Sequence, residues 1–173
     1  MGPAPEKLTF GASGPAIRLY LANNISIYKQ TKKIKKTLIN EKKWGIKKIK
    51  RYKNFKNQVN LRINKLRNII NRKHKQGFKL GCYTASSKGN TLLNCLKIKK
   101  DVISLVSENN KKKIGKFTPG THIKIVNDRK FIKEKIQYAL LLSWNYKNFF
   151  MKKSNYIKNG GKFIVPFPKT HIT

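Results

Sequence analysis

The sequence predicts an α/β fold, a parallel sheet with flanking helices, preceded by a strand and a long basic amphipathic helix. Two observations predict it. After Gly77, short apolar runs alternate with segments whose apolar residues recur every three or four positions, and that alternation builds parallel sheets with helices on their faces. The run Tyr138-Ala139-Leu140-Leu141-Leu142 is apolar almost throughout, as strands buried on both faces are.

The elements follow in order. Residues 1–15, with Pro3, Pro5, Gly11, Gly14 and Pro15, read as loop. Residues 17–22 (IRLYLA) alternate like a strand, and Asn23-Asn24 ends it. Ser26 is placed to cap a short helix running to about Asn40. From Trp44 to Lys75 the positions Tyr52, Phe55, Val59, Ile63, Leu66 and Ile70 step by three and four, which predicts one long helix stopped by Gly77. Strands are expected over 79–84, 102–106, 123–126, 138–142 and 162–165. Helices are expected over 89–97, from an Asp128 cap to about Lys135, and from an Asn145 cap to Gly160-Gly161. Pro166 and Pro168 close the last strand. The division expected is residues 1–43, a loop, strand and short helix, followed by 44–173 as the α/β domain with its leading helix.

The chain has 173 residues, the size of one ordinary domain, and carries 41 Lys+Arg against 6 Asp+Glu, a net charge of +35. Residues 29–79 hold 20 of the basic residues and one acid, Glu41. Such a charge attracts polyanions. Only six of the basic residues are arginine. An AT-rich genome also enriches lysine, asparagine and isoleucine, so a polyanion partner and coding bias both stand as sources. Cys82 and Cys95 form no C-x-x-C pair, and His74, His122 and His171 are scattered, so no zinc site or disulfide framework is expected. Two buried, reduced thiols in a cytoplasmic protein are expected instead. The longest uncharged apolar stretch, Tyr138 to Tyr146, is too short to span a bilayer. The N-terminus lacks a signal pattern.

Three loops hold residues suited to ligand chemistry. Tyr83-Thr84-Ala85-Ser86-Ser87-Lys88 ends a strand and opens a helix. In an open parallel sheet, ligands bind beyond the carboxyl ends of strands, and a helix N-terminus favours phosphate. Small side chains there let backbone approach an anion, and Lys88 adds a charge; a plain turn with a solvated lysine is the alternative. The second loop, Gly115 to His122, holds the Pro119-Gly120 turn, and His122 is either a donor to a phosphate or sugar oxygen or a surface histidine without a ligand. In the third, Ser143-Trp144-Asn145-Tyr146, the aromatics either stack on a base or cover the sheet edge. All three are expected on one rim. The acids after Glu41, namely Asp101, Glu108, Asp128 and Glu134, form no pair for acid–base work, and neither G-x-G-x-x-G nor a P-loop is present.

The segments YTASSKGNTLLN, GKFTPGTHIKIV, ALLLSWNYKNFF and NGGKFIVPFP, in this order and spacing, resemble the C-terminal domain of S-adenosylmethionine-dependent sugar C-methyltransferases. The resemblance runs from about Tyr52 to Pro168, and GPAIRLYLAN is similar to the strand that closes the preceding methyltransferase domain. It implies a Rossmann-like domain that helps to hold a nucleotide-diphosphate sugar. By resemblance, Tyr83, Ala85, Ser86, Lys88, Gly89, Asn90 and Thr91, together with Pro119, Gly120, Thr121 and His122, line the sugar-nucleotide side. Trp144 and Asn145 match the third motif. The family's zinc cysteines, glycine-rich cofactor loop and Tyr-x-Glu-His stretch are absent from this sequence. No catalytic or metal residue is therefore expected in the chain. S-adenosylmethionine is expected on a missing domain or a separate methyltransferase subunit, in a fragment, a split enzyme or a gene remnant. Where the family has Gly-Tyr-Gly-Ala, this chain has Cys82-Tyr83-Thr84-Ala85, so two added side chains are expected to crowd a diphosphate. The alternative function is a non-catalytic, non-specific nucleic-acid or polyanion binder acting through the basic helix.

Overall fold

The computed structural model describes residues 9–11, 14–16, 20–23, 27, 29, 31–98 and 100–173. The chain forms two units, Met1–Gln58 and Val59–Thr173.

In the first unit, β1 (Thr9–Gly11) and β2 (Gly14–Ala16) pair antiparallel, where loop was expected. Two residues between Gly11 and Gly14 suffice for a hairpin connection. Of the expected strand 17–22, Ile17 to Leu19 lie outside the described residues, and Tyr20 to Ala22 form no strand; a strand needs a partner to pair with. Ser26 also lies outside the described residues. The helix α1 spans Lys32–Trp44, four residues past the expected stop. Gly45, at φ +86°, ends it: its N–H donates to Lys42 O and that of Ile46 to Glu41 O. This left-handed cap splits the expected helix from Trp44 on, so that α2 runs Ile49–Lys75. Gly77 repeats the device at φ +82°, with Phe78 N–H on Lys73 O and Gly77 N–H on His74 O.

The second unit holds a six-stranded sheet. Its strands are β3 (Leu80–Tyr83), β4 (Leu105–Ser107), β5 (Lys124–Val126), β6 (Tyr138–Leu141), β7 (Lys162–Val165) and β8 (His171–Ile172). Their order is β5-β4-β3-β6-β7-β8, all parallel except β8. The strand at 102–106 is shifted to Leu105–Ser107, and β8 was not expected; two edge residues leave no periodic signal. Four helices cover the faces: α3 (Ser87–Leu96), α4 (Asp128–Lys133), α5 (Lys147–Lys153) and α6 (Asn155–Lys158). Asn127, not Asp128, caps α4, because its side chain accepts from Lys130 N–H at 2.8 Å. Asn145 lies within a 3-10 turn, Trp144–Tyr146, rather than at a cap, and Ser154 breaks the last expected helix by capping α6.

Strand alternation sorts the core into two layers. Ile125, Val106, Cys82, Leu140 and Ile164 form one row across the sheet and bury with Leu66, Ile70, Leu92, Leu93 and Leu96. Tyr83, Ala139, Leu141, Phe163 and Val165 face the other way and bury with Phe131 and Tyr156. This is the Rossmann-like arrangement expected. Cys82 belongs to the buried row, but Cys95 is exposed, against expectation. On α3 the inward positions are Leu92, Leu93 and Leu96, which leaves Cys95 outward. Among the described residues no helix is long and apolar enough to cross a membrane.

Candidate functional site

The strand order reverses direction between β3 and β6: the chain winds outward from β3 to β5, then returns beside β3 as β6. In open parallel sheets this switch point opens the crevice where ligands bind. The loops there are Thr84 to Ser86 and Leu142-Ser143. Ser86 caps α3, its Oγ accepting from Gly89 N–H at 3.2 Å and donating to Leu142 O at 3.1 Å. The remaining first-turn N–H groups of α3 have no intrahelical acceptor, as at any helix start. Gly89 permits the close approach, since a Cβ there would meet Leu142 Cβ at 2.4 Å. Lys88 places Nζ 4.8 Å from the centre of the Trp144 ring, and Trp144 packs edge-on against Phe167 at 5.1 Å. Asn90 Oδ1, in the same turn, is buried with no hydrogen-bond partner. Thr91 is exposed.

Two residues not singled out from the sequence complete this edge. Glu108, at the end of β4, accepts from Ala85 N–H at 3.0 Å through Oε2, and from Asn109 and Asn110 N–H at 2.8 and 3.1 Å through Oε1. Lys113 Nζ stands 3.6 Å from Glu108 Oε2 and donates to Ala85 O at 2.7 Å. Burial pushes the Glu108 carboxyl upward, but the N–H groups of Asn110, Ala85 and Asn109, with the Lys113 ammonium, hold it below the usual carboxylate range. An acid directly after a strand, Ser107-Glu108, is the signal that could have found it.

Of the residues expected at the site, Ala85, Ser86, Lys88, Gly89, Asn90, Trp144 and Asn145 come together at this edge. Tyr83 faces away from it, stacked on Tyr156 at 5.7 Å among Phe131, Phe150 and Phe163, with its hydroxyl toward Asp128 and Ser154. The expectation of one shared rim fails for the second loop. Lys116 and Thr118 pair with Ile125 and Ile123, so the turn Pro119 to His122 precedes β5 and lies at the amino edge of the sheet. It packs on the far end of α3, where Asn94 Nδ2 donates to Pro119 O at 3.1 Å. The geometry of parallel strands decides this, because all strand starts lie at one edge of the sheet and all strand ends at the other, and this turn leads into a strand rather than out of one. Cavities of about 490 and 560 Å³ also lie at that amino edge, the first against Phe78, Leu80 and Leu105, the second between Asn94, Lys97 and Gly120.

The Cys82 expectation is also corrected. Cys82 is fully buried within the sheet and cannot crowd a ligand at the loop. Thr84 can: it stands at the loop with φ +69°, and its Oγ1 donates to Ser143 Oγ at 2.8 Å.

A family model described as the C-methyltransferase C-terminal domain matches residues 11–168. The chain belongs to this family. A relative, C-methyltransferase NovU from Streptomyces niveus, is 26% identical over 165 residues, which is 95% of this chain and 39% of the relative. The chain therefore spans about two fifths of that relative's length.

Proposed function

We propose that this C-methyltransferase C-terminal domain recognises a nucleotide-diphosphate sugar at its switch-point edge, as the substrate-holding part of an S-adenosylmethionine-dependent sugar C-methyltransferase. The observation that carries the reading is the start of α3 at the β3–β6 crevice, with the Lys88 ammonium beside it. A helix of ten residues starting there offers free N–H groups and the positive end of its dipole to the diphosphate. Lys88 contributes a point charge and Trp144 a ring face. Lys88 must then leave the Trp144 ring to reach a phosphate, and the ring is freed for the base or sugar. Glu108 stands at the end of the next strand, where an acid meets a ribose hydroxyl in dinucleotide-binding sheets. The methyl donor binds on another part of the protein or on a separate methyltransferase subunit.

The experiment is a titration of the full chain with nucleoside diphosphates, followed by backbone amide shifts. Shifts confined to Ala85–Asn90 and Trp144 support the reading. Shifts confined to Pro119–His122, or spread along α1 and α2, contradict it.

A further inference from the structure

The corner between α1 and α2 is not explained by a nucleotide site. Within residues 29–58 stand 13 Lys and Arg and one acid. The one ion pair among the described residues, Lys113–Glu108, lies elsewhere, so among those residues no carboxylate pairs with a side chain of this cluster. Apolar side chains are exposed in the same place: Ile49 by 69%, Tyr52 by 43% and Phe55 by 63%. No side chain of α1 is buried, and in α2 only Leu66 and Ile70 are. The three exposed residues belong to the stripe whose later members, Leu66 and Ile70, bury in the core of the second unit. The stripe is thus built to pack, and its first half is left exposed among the described residues.

The corner is also fixed before any partner arrives. Tyr52 OH donates to Ile46 O at 2.7 Å, Trp44 meets Tyr52 edge-on at 6.0 Å, and the Arg51 guanidinium lies 4.8 Å over the Trp44 ring.

The chemistry selects the occupant. A second copy brings the same positive charge to the same face and is repelled. Single-stranded nucleic acid stacks successive bases on open ring faces, but Arg51 covers Trp44, Tyr52 is held by Trp44 and Ile46, and Phe55 offers a single ring between the aliphatic Ile49 and Val59. A lipid surface rewards a broad apolar face, whereas at about 100° per residue Arg51 and Lys53 stand on opposite flanks of the stripe centred on Tyr52. A narrow apolar stripe between basic flanks fits a protein groove. We infer that the α1–α2 corner docks a protein whose apolar groove is rimmed by aspartate and glutamate.

The test uses the full chain and four probes: an amphipathic peptide of leucine and glutamate, polyglutamate, a single-stranded DNA oligonucleotide, and phosphatidylglycerol vesicles. Two variants are compared with wild type. Ile49→Ser/Phe55→Ser removes the stripe and keeps the charge; Lys53→Gln/Lys56→Gln does the reverse. All these residues are exposed, and circular dichroism checks that both variants fold. The expected result is tightest binding of the peptide, weakened about tenfold by either variant, with polyglutamate insensitive to the serine pair. Tighter binding of DNA or vesicles than of the peptide overturns the inference, as does peptide affinity that ignores the serine pair. Neither result bears on nucleoside diphosphate binding at the switch point, which is read separately.

Discussion

Thr84 Oγ1 donates to Ser143 Oγ across 2.8 Å and ties the loop after β3 to the loop after β6. The bond spans the crevice of the switch point, and it is made by a β-branched residue in the left-handed region, φ +69°. Such a residue is strained there, by about 1–2 kcal/mol, while the hydrogen bond contributes about 0.5–1.5 kcal/mol. Thr84→Val keeps the strain and leaves Ser143 without its donor, so it should destabilise by about 1 kcal/mol. Thr84→Gly removes strain and bond together and should cost less than valine does. It should also open the crevice and tighten nucleoside diphosphate binding. Urea unfolding of the three proteins checks the order; a glycine variant less stable than the valine variant refutes the strain.

Cys82→Gly should behave differently. Cys82 is fully buried between Val106 and Leu140 in the sheet row, and burial pushes its thiol pKa up. Glycine in a strand costs about 0.5–1 kcal/mol, and the lost side chain leaves a void that adds to it. The expected outcome is a lower urea midpoint with nucleoside diphosphate affinity unchanged. Tighter binding in this variant would return Cys82 to the ligand side.

These two positions show what the sequence made legible. Both stand where, by the resemblance, the family has glycine, and two positions apart they would share one face of a strand; β3 ends between them, at Tyr83, and the motif alone cannot say which residue leaves the strand. The parallel sheet was legible because β3 and β6 are buried on both faces and therefore apolar throughout. The switch-point loop was legible from its small residues and its place between strand and helix. The Pro119–His122 turn was not, because a turn before a strand and a turn after one share the same residues. Glu108 was missed because its partners are backbone N–H groups, which leave no pattern of paired side chains. The break at Gly45 was masked by a three-and-four periodicity that runs on through α2.

Glu108 gives a pH test. Its folded-state pKa lies below the ordinary 4.5. A depressed carboxyl contributes stability that is complete above the unfolded value and is lost as pH falls through the folded one. Wild type should therefore exceed Glu108→Gln in stability near neutral pH, and the gap should narrow as pH drops below 4.5. Denaturant midpoints of both proteins across that range decide it. A gap independent of pH would mean that the Asn109, Asn110 and Ala85 N–H groups do not depend on the charge.

The most direct measurement is the affinity of a nucleoside diphosphate for wild type, Lys88→Ala and Lys65→Ala at one fixed salt concentration. Lys88 stands at the start of α3 beside Trp144, whereas Lys65 is exposed on α2. A charge-assisted bond to an anion contributes about 1.5–3 kcal/mol, so Lys88→Ala should weaken binding roughly tenfold or more. Lys65→Ala should bind as wild type does. Equal losses in the two variants would mean that the anion feels only the diffuse +35 charge of the chain, and the switch-point site would be contradicted.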